Sequence, residues 1–272
     1  MDRYLLKNII IIILLLVNGF LLISLASRYT ESARIQRETE EQLVELFAAD
    51  GMTLDADIIS QDPPPTPLSL SRDLEREQAV AEFFLGPNLS QREQSGDVYT
   101  YSSEAGVARF RSNGVFDVVG MVGTPADSDG QTLCQTFCEE FSYDDPVFTL
   151  DENGSGTGVA ICHYNGIPVF NCSVMFTLDH GTLMTVSGTL LPEEAAATEE
   201  SSELLSAAAA LTAFQQARRE SYMVVSAVTD LYPCYELLGS TASALSLVPV
   251  WCVVTDTANY YVNCITGVVS SG

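Results

Sequence analysis

The chain opens on an almost unbroken apolar run. From Asn8 to Ala26 only Asn8, Asn18, Gly19 and Ser24 interrupt it. A helix of that length, rising about 1.5 Å per residue, nearly matches a hydrocarbon core of roughly 30 Å. Ser24 and Ala26 also fit a secretory cleavage site, but the run exceeds the usual signal h-region. The reading is a transmembrane anchor over 1–27, with a short cytoplasmic head and the rest of the chain outside the cell membrane. Residues 28–70 read as a juxtamembrane helix that ends at Asp50-Gly51. A polyproline spacer follows, built on Pro63, Pro64, Pro65 and Pro67.

Beyond it, helices alternate with strands. A helix opens at Ser71-Arg72-Asp73 and stops at Gly86-Pro87. Strands then turn at Ser112-Asn113-Gly114, and a second helix runs from the Asp127-Ser128-Asp129 cap to about Tyr143, with Leu133, Phe137 and Phe141 along one stripe. A meander follows, Val159–Tyr164, Ile167–Leu178 and Leu183–Leu190, with Asn165-Gly166 as its strongest hairpin signal. The order then repeats. A helix over Ser201–Arg219 leads into strands Met223–Val228, Cys234–Leu237, Val248–Thr255 and Tyr260–Ile265. The expected fold class is α+β: a transmembrane helix followed by tandem helix-plus-antiparallel-meander units at 71–192 and 193–272.

Composition narrows the function. The chain carries 12 basic and 36 acidic residues, for a net charge of −24. Such a surface repels nucleic acid and anionic lipid headgroups and attracts cations or a basic protein face. Seven cysteines leave at least one unpaired in the monomer. Cys134 and Cys138, spaced i,i+4, read as buried small hydrophobes. Cys252 and Cys264 fall opposite each other if the hairpin loop is Thr257–Asn259, making them the favoured disulfide. An Asn165-Gly166 turn pairs Cys162 with Val169 and sends Cys162 and Cys172 to opposite faces. With two histidines, no CxxC and no Lys-Ser/Thr after the glycines of 153–158, neither metal, cofactor nor catalytic residue is expected. The chain reads as a non-enzyme.

Asn18 is the polar residue placed where polarity is costly. An amide in hydrocarbon either bonds the carbonyl one turn back or bonds a neighbouring helix. Gly19 permits close approach, so Ile11, Leu15, Asn18, Gly19 and Leu22 form a candidate helix–helix seam.

The Met1-Asp2 head, the span LLLVNGFLL and the acidic remainder resemble the YycI/YycH family of bacterial regulatory proteins. So do the hairpin Tyr164-Asn165-Gly166-Ile167-Pro168-Val169-Phe170-Asn171 and the ending Leu247-Val248-Pro249-Val250-Trp251 with Tyr260-Tyr261-Val262-Asn263 and Thr266-Gly267. The ending also resembles PepSY-like modules. The resemblance implies an accessory regulator of a WalK/WalR-type (YycG/YycF) two-component system acting in cell-wall homeostasis. In that reading the seam contacts the sensor histidine kinase, and the outer domain pairs with a YycH-like partner or a second copy. A PepSY-like envelope binding or peptidase-inhibitor module is the alternative.

Overall fold

The structure, a computed structural model, describes residues 34–94, 98–120, 129–198, 204–221, 223–239 and 245–271, together with residues 14, 17, 18 and 20. Helix α1 covers residues 34–49. Strand β1 (Thr53–Leu54), a 3-10 turn at Ala56–Ile58 and β2 (Leu68–Leu70) precede α2 (Leu74–Leu85). Asp73 caps α2, its carboxylate accepting the Arg76 N–H at 2.9 Å, and Gly86 ends the helix at φ 81. Strands β3 (Ser90–Gln94), β4 (Val98–Ser102), β5 (Val107–Arg111) and β6 (Val115–Val119) lead to α3 (Gly130–Glu140). Then come β7 (Val147–Leu150), β8 (Gly156–Tyr164), β9 (Ile167–Asp179), β10 (Thr182–Thr189) and β11 (Ala195–Ala197). Helix α4 (Ala207–Ser221) precedes β12 (Ala227–Gly239), β13 (Leu245–Thr255), β14 (Asn259–Asn263) and β15 (Val269–Ser271).

All fifteen strands belong to one branched, mixed sheet. Its first part runs β7-β8-β9-β10-β6-β5-β4-β3, every neighbour antiparallel. Helices α2 and α3 supply one face of it with an aromatic core. Phe137 is the hub, with ring centroids of Phe83, Phe84, Phe116, Phe141, Tyr143 and Phe176 all within 6.4 Å. The second core packs α1 and α4 on β13 and β14. It contains Leu43, Phe47, Leu211, Phe214, Trp251 and Val262, and the Trp251 indole N–H donates to the Leu205 carbonyl at 2.9 Å.

Strand β13 joins the two cores. Leu245 and Leu247 enter the first, whereas Trp251 and Val253 enter the second. These residues are two or four apart, so they share one face of the strand. Strand β12 also pairs with three others: antiparallel to β13, parallel to β1, and parallel to β9 at Tyr235↔Val169. Pro233 falls between the β1 and β9 contacts, where no ladder partner needs its missing N–H.

These findings correct the expected fold class. The chain is not a transmembrane helix followed by tandem helix-and-meander units. It is largely one mixed sheet, with helices α1 to α4 packed along it. Separate units fail because β12 and β13 run beyond their own hairpin and add Tyr235, Leu245 and Leu247 to the first core. The stretch expected as a free spacer is docked too. Leu68–Leu70 pairs with both β13 and β11, and Tyr235 Oη donates to the Thr66 carbonyl at 2.9 Å. The single-pass membrane placement is likewise overturned. Among the described residues no helix is long and apolar enough to cross a membrane. Of the apolar run 8–26, only Leu14, Val17, Asn18 and Phe20 belong to them, all helical and exposed.

Strand β9 carries the device that couples the halves. Its register against β8 steps from Ile161↔Ser173 to Cys162↔Val169, leaving Phe170, Asn171 and Cys172 unpaired on that side. The insertion turns Cys172 into the first core beside Cys162, instead of to the opposite face. It also lets the Asn171 amide bond both backbone groups of Leu237, Nδ2 to the carbonyl and Oδ1 from the N–H, each at 2.8 Å. Phe170 stacks on Tyr261 with centroids 3.6 Å apart.

Two outcomes follow. Replacing Asn171 with Ala removes two hydrogen bonds and costs about 1–3 kcal/mol in chemical unfolding, whereas Asn171→Asp costs more because a carboxylate then faces the Leu237 carbonyl. The second concerns acid. Backbone N–H groups of Ser226 and Ala227 hold the Asp256 carboxyl below its ordinary value of 3.8. Its contribution is complete above that value and is lost as pH falls through the lowered folded one. Asp256→Asn keeps the acceptor and removes the titration, so its unfolding free energy should fall less steeply below pH ~4 than that of the parent.

Candidate functional site

Of the expected helix–helix seam, Ile11, Leu15, Gly19 and Leu22 lie outside the described residues, and Asn18 is helical and exposed. One cluster among the described residues brings a serine, a carboxylate and an imidazole together. Ser155, Asp179 and His180 meet where the β7–β8 and β9–β10 turns touch. Ser155 Oγ donates to Asp179 Oδ1 at 3.0 Å, the His180 Nδ1 lies 2.8 Å from the same oxygen, and the His180 backbone N–H donates to Ser155 Oγ at 2.9 Å. The serine hydroxyl is held by the carboxylate and not by the imidazole, so the Ser–His–Asp order of a nucleophilic triad is not formed.

All seven cysteines are free and buried. Burial pushes the thiols of Cys134, Cys138 and Cys264 up to about 12, which keeps them protonated and unreactive. Cys162 is pushed up to about 12 for the same reason. The expected Cys252–Cys264 disulfide does not form. The β13–β14 hairpin places Cys252 opposite Tyr261, because the strands turn at 256–258, earlier than Thr257–Asn259. Cys264 then belongs to the core under α4, and Cys252 to a small cluster with Cys234, Val250 and Tyr261. There Cys234, Tyr232 and Tyr261 hydrogen-bond Cys252 and hold its thiol below the ordinary value. Among the described residues no group of three His, Cys, Asp or Glu is placed to hold a metal.

The feature with the geometry of a working surface is the outer face of the first part of the sheet. Alternation sends Ala108, Phe116, Val118, Val174, Phe176 and Val186 inward to α2 and α3. Two rows of outward residues cross the strands. One reads Thr149–Thr157–Thr177–Thr185–Val119–Val107, and the next reads Val147–Val159–Met175–Ser187–Asp117–Arg109. Val147 is 74% exposed, and Val159, Met175 and neighbouring Ile161 and Met184 are 40–45% exposed. The charges in these rows are Arg109 and Asp117, paired at 3.1 Å, with Arg111 on the same carboxylate at 3.0 Å. A chain of net charge −24 thus presents a nearly neutral sheet face set with apolar side chains. Contiguous exposed apolar surface marks contact with another molecule.

This face is built by strands whose apolar residues fall on both sides. In β8 the run Val159-Ala160-Ile161-Cys162 alternates outward and inward. Sequence reasoning placed the strand and missed the outward pair, because a short continuous apolar run reads as a strand buried on both faces. Gly158 has a packing reason: a Cβ there would approach the Phe148 ring to 2.6 Å.

No protein-family model matches the chain, and no curated protein is significantly similar. Among solved structures, an uncharacterized protein from Eubacterium rectale is similar over 77% of this chain and 81% of its own, at 12% identity and a TM-score of 0.41. The C-terminal domain of YpeB from Bacillus megaterium is similar over 74% of this chain and 98% of its own, at 12% identity and a TM-score of 0.34. Overlaps this shallow assign neither family nor function, and neither singles out YycI or YycH.

The thiol chemistry has a direct check. Native protein treated with iodoacetamide at pH 8 should label Cys134, Cys138, Cys162 and Cys264 about a thousandfold more slowly than unfolded protein does. Peptide mass spectrometry over a time course reads the rates, and rapid native labelling of any of the four contradicts its burial.

Proposed function

We propose that this chain is a non-catalytic accessory regulator of the YycI/YycH type, which acts by binding the folded sensor region of a WalK-type histidine kinase through the outer sheet face. The observation that carries the reading is the pair of cross-strand rows, Thr149 to Val107 and Val147 to Arg109, on an otherwise acidic protein. Burying Val147, Val159, Ile161, Met175 and Met184 against a partner removes apolar area from water, and ordinary coefficients assign about 25 cal/mol to each Å². A second copy of the same chain is the less favoured occupant. Two molecules of charge −24 repel around the rim of such a contact, whereas a neutral or basic partner does not. The arrangement of Ser155, Asp179 and His180 and the raised thiols of Cys134, Cys138, Cys162 and Cys264 support the non-enzymatic half of the proposal.

The test reconstitutes a WalK-type kinase with the purified chain and follows autophosphorylation. The parent chain should shift kinase output, and Val159→Glu with Met175→Glu should abolish the shift while circular dichroism and the unfolding midpoint stay unchanged. A charge in the centre of a contact weakens association by about 10-fold or more. Equal action by parent and variant moves the contact away from this face. Failure of both to act refutes the regulator reading. Concentration-dependent dimerisation lost in the variant assigns the face to self-association.

A further inference from the structure

The start of α2 meets the segment Leu190–Glu194, and a nearly buried arginine lies between them. The Arg76 side chain is 9% exposed. Its Nη2 donates to the Phe141 carbonyl at 3.0 Å, its guanidinium lies 5.6 Å from the Phe141 ring centroid, and its Nε is buried with no acceptor. The counter-ion is Glu193, whose carboxylate meets Nη1 at 2.5 Å but whose side chain is 72% exposed. Beside this pair opens a cavity of about 330 Å³ lined by Arg76, Ser142, His163, Asn165 and Glu193 among others. A second space of about 520 Å³ continues past Pro192 and Glu193 along the first turn of α2.

The cavity presents convergent hydrogen-bonding groups. His163 has its Nδ1 3.1 Å from Asp144, so Nε2 is the nitrogen left for a ligand. Ser142 and Asn165 sit at left-handed backbone positions, φ 66 and φ 51. Ser142 holds the residue after the α3 C-cap Phe141, where the Tyr143 N–H returns to the Cys138 carbonyl at 2.9 Å. The main chain of Glu193 is fixed independently of its side chain: the Tyr164 hydroxyl donates to its carbonyl at 3.1 Å, and its N–H reaches Asp73 Oδ2 at 3.5 Å. The carboxylate can therefore swing into solvent while the segment stays in place.

We propose that this cavity binds a carboxylate presented by a peptide, and that Glu193 is the resident carboxylate the ligand displaces. Displacement exchanges one carboxylate for another on a nearly buried guanidinium, so Arg76 is not left unpaired, and Arg76 has N–H capacity that Glu193 and Phe141 do not satisfy. The same surroundings select against a dianion. Asp73, Asp144 and Glu194 lie around the two spaces, so a phosphate adds a charge that Arg76 alone does not balance, whereas a carboxylate replaces Glu193 one for one. The two spaces flanking Pro192 leave room for residues on either side of the acidic one. His163 follows Ile161 on the outward side of β8, so the cavity adjoins the sheet face, but Arg76 and Glu193 are not part of the apolar rows.

The experiment uses the full chain and fluorescence anisotropy with Ala-Ala-Glu-amide carrying the dye on its N-terminal amine, its Gln counterpart, and N-terminally labelled Ala-Ala-Ala with a free C-terminal carboxyl. Either carboxylate peptide should bind at least ~10-fold tighter than the Gln peptide, and comparing the two tells a side-chain from a C-terminal source. Glu193→Gln lies on the surface and leaves the fold intact. It should tighten carboxylate binding by about 5-fold or more, because Arg76 then has no resident carboxylate to release. Arg76→Gln should abolish it. The proposal is overturned if Glu193→Gln weakens binding or leaves it unchanged, or if the Gln peptide binds equally. It is overturned equally if no peptide binds, or if inorganic phosphate displaces the peptide at lower concentration than unlabelled acetyl-Ala-Ala-Glu-amide does.

Discussion

At the joint between β9 and β12, one side-chain amide takes the place of a missing stretch of backbone. Where β9 leaves its register with β8, its main chain no longer aligns with β12 beyond the single pairing of Val169 with Tyr235. The donor and acceptor of Leu237 would then face no partner, and backbone groups left unpaired inside a structure cost as much as lost hydrogen bonds. Asn171 answers both with one planar group. Its neighbour Phe170 is carried the other way and lies flat on Tyr261, covering Cys252 and Cys234. The three inserted residues thus create the bend, close the seam between the halves and roof the small cluster beside it.

Orientation of α2 depends on a different balance. Arg72 reaches Glu77 through Nε at 2.7 Å and Nη2 at 3.0 Å, donates to the Phe110 carbonyl at 3.1 Å, and lies 4.6 Å from the Tyr99 ring centroid. Desolvation outweighs the arginine and raises the Glu77 carboxyl above its ordinary value. Such a pair adds little net stability against apolar replacements but is unforgiving of losing one partner. Its value is geometric, since it fixes α2 against β4 and β5 and so sets where Arg76, one turn further on, enters the sheet edge.

Local chemistry was legible in the sequence, and the long-range joints were not. Asp73 and Gly86 bound α2, Asp129 caps α3, and Asn165-Gly166 sets Cys162 opposite Val169. Errors began where register depended on something other than a turn. The insertion at Phe170–Cys172 has no signature in alternation, and the last hairpin turns before Thr257–Asn259, which rotated the inferred partner of Cys252 from Tyr261 to Cys264. The proline-rich stretch carried its own strand, Leu68–Leu70, too short to register as one. Of the candidate surface, strands β8 to β10 were recognisable while β7 with Val147 and the outward Val and Met residues were not, because a run that is apolar on both sides hides which side is covered. Arg76 gave no signal beyond lying in a helical first turn, since its burial comes from Phe141 and Glu193, distant in sequence.

The shared face of β13 bears on how this protein emerges during synthesis. The first core takes Leu70 from before α2 and Leu245 and Leu247 from near the end of the chain. A ribosome that has completed β10 has therefore released most of the aromatic core around Phe137, yet the leucines that close its rim are still to be made. Translation at about 5–20 residues per second leaves that rim open for several seconds. During that interval the β2 segment has no β13 to pair with, and the edge of the nascent sheet is accessible to chaperones or to other chains. Completion is set by the last strands, so the polypeptide gains its final form from its C-terminal end backward rather than domain by domain.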